Sequence, residues 1–153
     1  MTSKRLTTGL TGLLSAFIIV VGVRFVLDPH GAAAGFGIPG PQGAGTGFYD
    51  VKGVRDIASG LVAIALLITR QRRALGWALL AEAFTPLGDA TIVLTHGGTL
   101  ATALGIHALT AALVLLTAAL LLRETRGAVG AVSVGAVSAG APGITNQVAG
   151  QTI

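Results

Sequence analysis

Four apolar segments dominate the pattern of hydrophobic and polar positions along the chain. They cover about residues 6–27, 51–69, 74–95 and 102–122. A helix that crosses the hydrocarbon core of a bilayer needs about 20 predominantly apolar residues, and each segment is close to that length. The pattern therefore predicts an all-α fold, in which residues 1–126 form an integral membrane bundle of four transmembrane helices.

The composition agrees with a membrane protein. Of the 153 residues, 52% are hydrophobic and 10% are charged, whereas soluble domains carry about 25% charged residues. The chain has no cysteine, which excludes disulfides, thiolate nucleophiles and cysteine metal sites. The net charge is only +4, and the cations stand in short clusters beside the apolar segments. We therefore expect the lipid bilayer as a partner and no nucleic acid.

Basic residues occur at alternate ends of the four segments. They precede the first segment, fill the link between the second and third, and follow the fourth, whereas links 28–50 and 96–101 contain no Lys or Arg. These residues are Lys4, Arg5, Arg70, Arg72, Arg73, Arg123 and Arg126. By the positive-inside rule, we expect a multi-pass protein of the plasma membrane with both termini in the cytoplasm. A cleaved signal peptide is the alternative, but its apolar core would be about 7–15 residues, shorter than the first segment.

Two regions outside the segments are rich in glycine. Link 28–50 contains seven Gly and three Pro, which precludes a continuous helix or strand. It could be a lid over the outer end of the bundle or a slack connector, and both interpretations stay open. The tail 127–153 is uncharged and rich in Gly, Ala, Val and Ser, which predicts a disordered cytoplasmic segment.

Charged side chains within the apolar segments indicate a buried polar site. An ionised group at mid-bilayer costs about 2.5–3.5 kcal/mol, so such groups usually face the interior of a bundle. Arg24 ends the first segment, and Lys52, Arg55 and Asp56 open the second. At a rise of about 1.5 Å per residue, Asp89 lies about 9 Å and His107 about 8 Å below the outer ends of the third and fourth segments.

Helical spacing arranges these polar positions into three stripes. The stripes are Lys52, Asp56, Gly60 and Ala63; Ala78, Glu82, Thr85 and Asp89; and His107, Thr110 and Thr117. Each stripe is polar toward the outside and small or apolar deeper down, which predicts a pocket that narrows inward. Pro86 cannot donate to the Glu82 carbonyl and predicts a kink between the two acids of the third segment. Asp50 is placed to cap the second helix.

These positions give a set of candidate site residues. Asp89, Asp56 and His107 are the candidate catalytic acid and base groups, because such groups can exchange protons near neutral pH when their surroundings exclude water. The candidate ligand-binding residues around them are Arg24, Lys52, Tyr49, Arg55, Glu82 and Thr85. The sequence indicates no cofactor and no metal, because it contains no nucleotide-binding motif and its His and Asp residues lack metal-ligand spacing.

Several motifs resemble those of one protein family. They are "GFGIPG", "YDVKGVRDIASG", "RRALGWALLAEAFTPLGDATIVLTHGG" and "ALGIHALTA", which occur in order within about residues 8–123. The chain resembles the small four-helix membrane proteins of domain-of-unknown-function family 4267, which are DoxX-like in appearance. The matching positions are Lys52, Gly53, Arg55, Asp56, Gly60, Pro86, Asp89, Gly97 and His107. The resemblance implies a fold and no settled activity, and the insert 40–47 and the long tail depart from it.

Three functions are compatible with this pattern. The first is binding of a lipophilic small molecule in the predicted pocket, either alone or together with its isomerisation, cyclisation or hydrolysis. The second is a small proton-coupled transporter that uses Glu82, although no inverted repeat is evident. The third is a structural membrane subunit, a homo-oligomer or the partner of another membrane protein, whose charges only hold the helices in register. A cavity of at least about 300 Å³ lined by Asp56, Asp89 and His107 would favour the first.

Overall fold

The computed structural model describes residues 2–38, 40 and 43–139, and all regular structure within them is helical. The α-helices are α1 (Thr2–Leu27), α2 (Pro29–Phe36), α3 (Gly47–Ile68), α4 (Arg72–Glu82), α5 (Phe84–Thr95), the short α6 (Leu100–Thr102) and α7 (Leu109–Ala139). A 3₁₀ turn (Gly43–Thr46) precedes α3, and a π-helical segment (Ala103–Ala108) joins α6 to α7. The predicted all-α fold is therefore confirmed for the described residues.

Three helical stretches are long and apolar enough to cross a membrane. They are Ser3–Leu27, Arg72–Thr95 and Leu100–Arg126. Many large apolar side chains lie on the outer surface, among them Leu27 at 78% and Phe84 at 80% exposure. A surface of this kind is unfavourable in water and suits contact with lipid. The 22-residue α3 is long enough to cross a membrane, but its first half carries Lys52, Arg55 and Asp56. The fourth predicted span therefore does not follow from length and composition alone.

Helices α1 and α3 pack antiparallel with their backbones in close contact. A Cβ atom on Gly22 would lie 2.5 Å from the carbonyl oxygen of Gly53, and one on Gly53 would lie 2.6 Å from that of Gly22. Further along the pair, Gly60 faces Ser15 and Ile19 in the same way. Small residues allow this approach between membrane helices, where dispersion contacts rather than water exclusion hold the helices together.

Helices α4 and α5 form a second packed unit with α7. Its core contains Leu75, Leu79, Val114, Ala118 and Leu121, and Ala63 of α3 belongs to the same cluster, so the two units are in contact there. The helix breaks between α4 and α5 at Ala83, one residue after Glu82. The break is where the missing amide of Pro86 leaves the Glu82 carbonyl without its helical partner, as the sequence predicts.

Some helix boundaries differ from the prediction. Helix α3 begins at Gly47 rather than near 51, and its N-cap is Thr46, so the predicted cap Asp50 lies inside the first turn. The prediction of Asp50 as a cap is wrong because the 3₁₀ turn before Gly47 starts the helix earlier, although a carboxylate in the first turn still faces the positive end of the helix dipole.

The glycine-rich link contains a short helix. In α2, the Asp28 side chain accepts a hydrogen bond from the Gly31 amide at 3.1 Å, and Pro29 occupies the first turn, where its missing amide has no cost. Gly37 ends the helix in the left-handed conformation, with φ of 104°. The link is therefore irregular only in part.

Helix α7 is longer than the predicted fourth span. It continues to Ala139, so the backbone of residues 127–139 is helical where a disordered tail was predicted. Once a long helix exists, each further residue adds a hydrogen bond, so the helix can propagate although this sequence also contains glycine, valine and serine. The remainder of the predicted tail, 140–153, lies outside the described residues.

One end of the bundle, which we call the basic end, contains Lys4, Arg5, Arg70, Arg72, Arg73, Arg123 and Arg126. Here Arg72 joins three helices: its guanidinium donates to Glu124 at 2.8 and 3.2 Å and to the hydroxyls of Thr7 and Thr8. Ser3 and Thr7 donate to the second Glu124 oxygen at 2.7 and 3.0 Å. The beginnings of α1 and α4 are thereby tied to α7.

Candidate functional site

A cavity of about 970 Å³ lies between the α1–α3 pair and the α4–α5–α7 unit. It exists because each unit packs tightly within itself, whereas α5 makes hardly any direct contact with α3. Apolar side chains such as Leu14, Phe17, Leu79 and Val114 form much of its wall. The polar part of the wall is concentrated toward the end opposite the basic end.

The three predicted stripes meet on this wall. The stripe members that line the cavity are Lys52, Asp56, Gly60 and Ala63 of α3; Ala78, Glu82, Thr85 and Asp89 of α4 and α5; and His107 and Thr110. Thr117 is instead fully buried and donates to the Leu113 carbonyl at 2.7 Å. The helical period of 3.6 residues per turn explains why the other stripe residues line one cavity, because it places the members of each stripe on the same face of their helix.

Lys52 and Asp56 form an ion pair on the cavity wall. The Lys52 Nζ donates to Asp56 Oδ2 at 2.8 Å, one helical turn apart. The same Nζ lies 4.9 Å from the centroid of the Phe25 ring and 5.1 Å from that of Phe36. The ammonium is thus held by a carboxylate on one side and two aromatic faces on the other, which lowers the cost of keeping it away from water.

His107 lies in the π-helical segment and holds α2 against the cavity. Its Nε2 is 2.8 Å from the Phe36 carbonyl oxygen, and its ring packs against the Phe36 ring with centroids 4.5 Å apart. A carbonyl can only accept, so Nε2 carries the proton and, in the neutral ring, Nδ1 is left as an acceptor. Single π turns within α-helices are frequent at functional sites because the extra residue re-aims side chains.

Asp89 completes the polar cluster. It is half-buried on α5 and lines the same cavity as Lys52, Asp56 and His107. Two carboxylates, an ammonium and an imidazole from α3, α5 and the π segment therefore share one region of the cavity. We call these four residues (Lys52, Asp56, Asp89 and His107) the polar cluster.

The other predicted ligand-binding residues occupy different parts of the wall. Glu82 accepts a hydrogen bond from the Ser59 hydroxyl at 3.1 Å, which bridges α4 and α3. Thr85, Arg24 and Arg55 line the cavity and are exposed. The ion pairs in the described part of the chain are Lys52–Asp56 and Arg72–Glu124. Neither Arg24 nor Arg55 therefore has a carboxylate within 4.0 Å there.

Tyr49 lies in an aromatic cluster beside the cavity rather than on its described wall. It is buried, with its ring 6.1 Å from that of Phe25 and 5.9 Å from that of His30. Its predicted role as a ligand contact becomes, in the structure, packing behind Phe25. The sequence alone does not show whether a tyrosine near the end of the glycine-rich link contacts a ligand or packs against other aromatic rings.

The sequence reasoning missed several residues of the wall, and Phe36 and Ser15 are two of them. Phe36, from the link, contacts both Lys52 and His107. Ser15 of α1 is 2% exposed and lines the cavity, and its hydroxyl has no hydrogen-bond partner among the described residues. The sequence gives no signal for Ser15, because most serine hydroxyls within apolar helices bond to a carbonyl of their own helix and only the structure shows that this one does not.

The described residues do not form an evident metal centre. Among them, no group of three or more His, Cys, Asp or Glu side chains lies close enough to hold an ion. The cavity wall carries hydrogen-bonding groups and charged side chains, which are concentrated in the polar cluster.

The fold and the cavity define a class, that of small helical proteins with helices long and apolar enough to cross a membrane and with charged residues on the wall of a partly open cavity. The chain matches the family described as Domain of unknown function (DUF4267) over residues 15–121. It belongs to this family, which confirms the resemblance seen in the motifs. Neither the curated proteins nor the solved structures contain a match.

Proposed function

We propose that this protein binds a lipophilic small molecule in the cavity, with the polar group of the molecule against the polar cluster. The observation that carries the proposal is a cavity of about 970 Å³ with an apolar wall and one region of convergent polar groups. Small-molecule sites are commonly about 300–1,000 Å³ and have this distribution of polar groups. The buried Ser15 hydroxyl supports the proposal, since a hydrogen bond from a bound molecule would satisfy it.

The charges on the wall favour a molecule with an acidic or carbonyl group. Arg24 and Arg55 have no carboxylate partner among the described residues and lie on the same wall as the Lys52–Asp56 pair. An arginine in a partly dry site is stabilised by an oxygen that accepts its hydrogen bonds. The molecule could enter the cavity from the lipid through the gap between α3 and α5. Arg55 on α3 and Thr85 on α5 line the cavity and are also exposed, so the cavity is open on this side.

We further propose that α3 crosses the membrane as the fourth span. It packs antiparallel along α1 from the Gly22–Gly53 contact to the Ser15–Gly60 contact, so it extends through the same depth as a helix that is long and apolar enough to cross. Its charged residues line the cavity instead of the outer surface. With the basic end in the cytoplasm, the polar cluster lies in the outer half of the plasma membrane.

Binding can be tested with cis-parinaric acid, a fluorescent fatty acid, and its methyl ester. Ala78 lines the cavity and Ala81 is exposed on the same helix outside the described wall, so Ala78→Phe fills the cavity and Ala81→Phe is the matched control. We expect wild type and Ala81→Phe to bind the acid, and Ala78→Phe to bind it at least about tenfold more weakly. Arg55→Gln should weaken binding of the acid more than that of the ester.

Equal binding by Ala78→Phe and Ala81→Phe would refute the cavity as the site. Failure of the wild-type protein to bind either probe would favour the structural alternative, in which the charges only hold the helices in register. Melting curves of all variants show whether a loss of binding reflects loss of the fold.

Proton transfer on the bound molecule is a second candidate function. It is favoured by the half-buried Asp89, which lines the same cavity as His107, whose Nδ1 is an acceptor in the neutral ring. Such a pair can act as acid and base in an isomerisation, a cyclisation or a hydrolysis. Asp89→Asn should then keep binding and lose turnover, and a variant that retains turnover would remove Asp89 from the mechanism. The transport hypothesis based on Glu82 stays a prediction.

A further inference from the structure

A second cavity, of about 700 Å³, lies at the basic end, far from the polar cluster. Its wall contains Lys4, Arg70, Gln71, Arg72, Arg73, Ala74, Trp77, Glu124 and Thr125. We call it the basic cleft. Arg72 is committed to Glu124 at 2.8 Å, whereas Lys4, Arg70 and Arg73 have no carboxylate within 4.0 Å in the part of the chain that the structure describes. The cleft therefore carries an excess of three uncompensated cations.

The backbone at Arg70 is a second and independent observation. Helix α3 ends in a Schellman motif, in which the Gln71 amide donates to the Leu66 carbonyl at 2.9 Å and the Arg70 amide to Leu67 at 3.1 Å. The residue at this position is usually glycine, because it must adopt a left-handed conformation. Arg70 adopts it with φ of 59°. The chain thus keeps a cation at the mouth of the cleft where the fold alone favours glycine.

The outer face of α4 and α5 continues from the cleft into the membrane. Arg73, Trp77, Leu80 and Phe84 follow i, i+4, i+7 and i+11 and form one stripe. Trp77 is 52%, Leu80 40% and Phe84 80% exposed. A cation, an interfacial tryptophan and then apolar side chains match a phosphate headgroup followed by an acyl chain. Free phosphate would use only the first of these features.

We propose that the basic cleft binds an anionic glycerophospholipid of the surrounding bilayer, with its phosphate at Arg70, Arg73 and Lys4 and an acyl chain along Trp77, Leu80 and Phe84. Basic pockets at the ends of membrane helices bind anionic headgroups by charge attraction, which is strong where the surface carries no competing carboxylates. Glu124 does not compete, because Arg72 and the hydroxyls of Ser3 and Thr7 occupy its oxygens. This site is independent of the proposed ligand cavity.

Trp77 is the only tryptophan of the chain, so its fluorescence reports on the cleft without labelling. The purified full-length protein in neutral detergent would be titrated with phosphatidylglycerol and with phosphatidylcholine, each brominated on its acyl chains. We expect the brominated phosphatidylglycerol to quench Trp77 at a concentration at least about tenfold lower than phosphatidylcholine. Equal quenching by the two lipids would overturn the proposal.

Charge variants separate the cleft from general attraction to the basic end. Each basic residue near an anionic lipid contributes roughly a fivefold gain in binding, so Arg70→Gln with Arg73→Gln should weaken phosphatidylglycerol binding about 10–25-fold. Arg5→Gln with Arg123→Gln removes the same charge from the same end outside the described wall of the cleft and should leave most of the preference. Equal losses in the two double variants would show diffuse attraction and overturn the proposal.

Two further measurements complete the test. Inorganic phosphate at the lipid concentration should not relieve the quenching, and full relief would assign the cleft to free phosphate. Arg70→Gly should bind phosphatidylglycerol more weakly while its melting temperature stays equal or rises, since glycine relieves the left-handed strain. Undiminished binding by this variant would remove Arg70 from the site.

Discussion

Replacing Gly53 by alanine tests how α1 and α3 are held together. A Cβ atom at Gly53 would lie 2.6 Å from the carbonyl oxygen of Gly22, where ordinary contact begins at 3.4 Å. The obstacle is backbone, so the two helices have to separate by most of an ångström. Overpacking of this kind costs about 1–3 kcal/mol, which exceeds the gain of about 0.8–1.0 kcal/mol in helix propensity from Gly to Ala.

Gly12→Ala on α1 is the matched control. Nothing lies within 4 Å of a Cβ atom at Gly12, so this change brings the propensity gain without the clash. The difference in unfolding free energy between the two variants therefore isolates the packing term, which we expect to be about 1–3 kcal/mol. Unfolding in mixed micelles, followed by the fluorescence of Trp77, measures this difference. Equal stability of Gly53→Ala and Gly12→Ala would refute the close backbone contact.

Two further predictions concern the second packed unit. Arg72→Met should lower the unfolding free energy by about 1.5–3 kcal/mol, because the Glu124 carboxylate loses its charged donor at 2.8 Å. The double variant Arg72→Met with Glu124→Met should recover part of this loss. If it recovers nothing, the two residues are not coupled. Pro86→Ala should restore the hydrogen bond to the Glu82 carbonyl, so that the amide at position 86 is protected in hydrogen exchange, and an unprotected amide would contradict the proposed cause of the break.

The sequence predicts the helices and the faces that meet, because both follow from local periodicity. Lys52, Asp56, Asp89 and His107 come together since each lies on the inward stripe of its own helix. The break near Pro86 was also predictable, because a missing amide acts on the carbonyl four residues earlier.

The features that sequence reasoning missed depend on contacts between distant segments. Phe36 joins the site only because α2 folds over the cavity, and the glycine-rich composition of the link conceals that helix. The π turn at His107 and the role of Tyr49 in packing likewise depend on neighbours from other helices. The left-handed Arg70 was hidden because the residue type there opposes the conformation that the turn requires.

The close contact between Gly22 and Gly53 has a consequence for how the protein can change shape. Two helices whose main chains touch cannot slide or tilt against each other without a clash, so we expect α1 and α3 to move together as one rigid unit. The facing unit instead carries an interruption at Ala83, next to the Glu82 carbonyl, which receives no helical hydrogen bond because Pro86 has no amide proton. Bending near Ala83 is therefore a route by which the space between the two units could widen or narrow, because it would move α5 and Asp89 relative to Lys52 on α3.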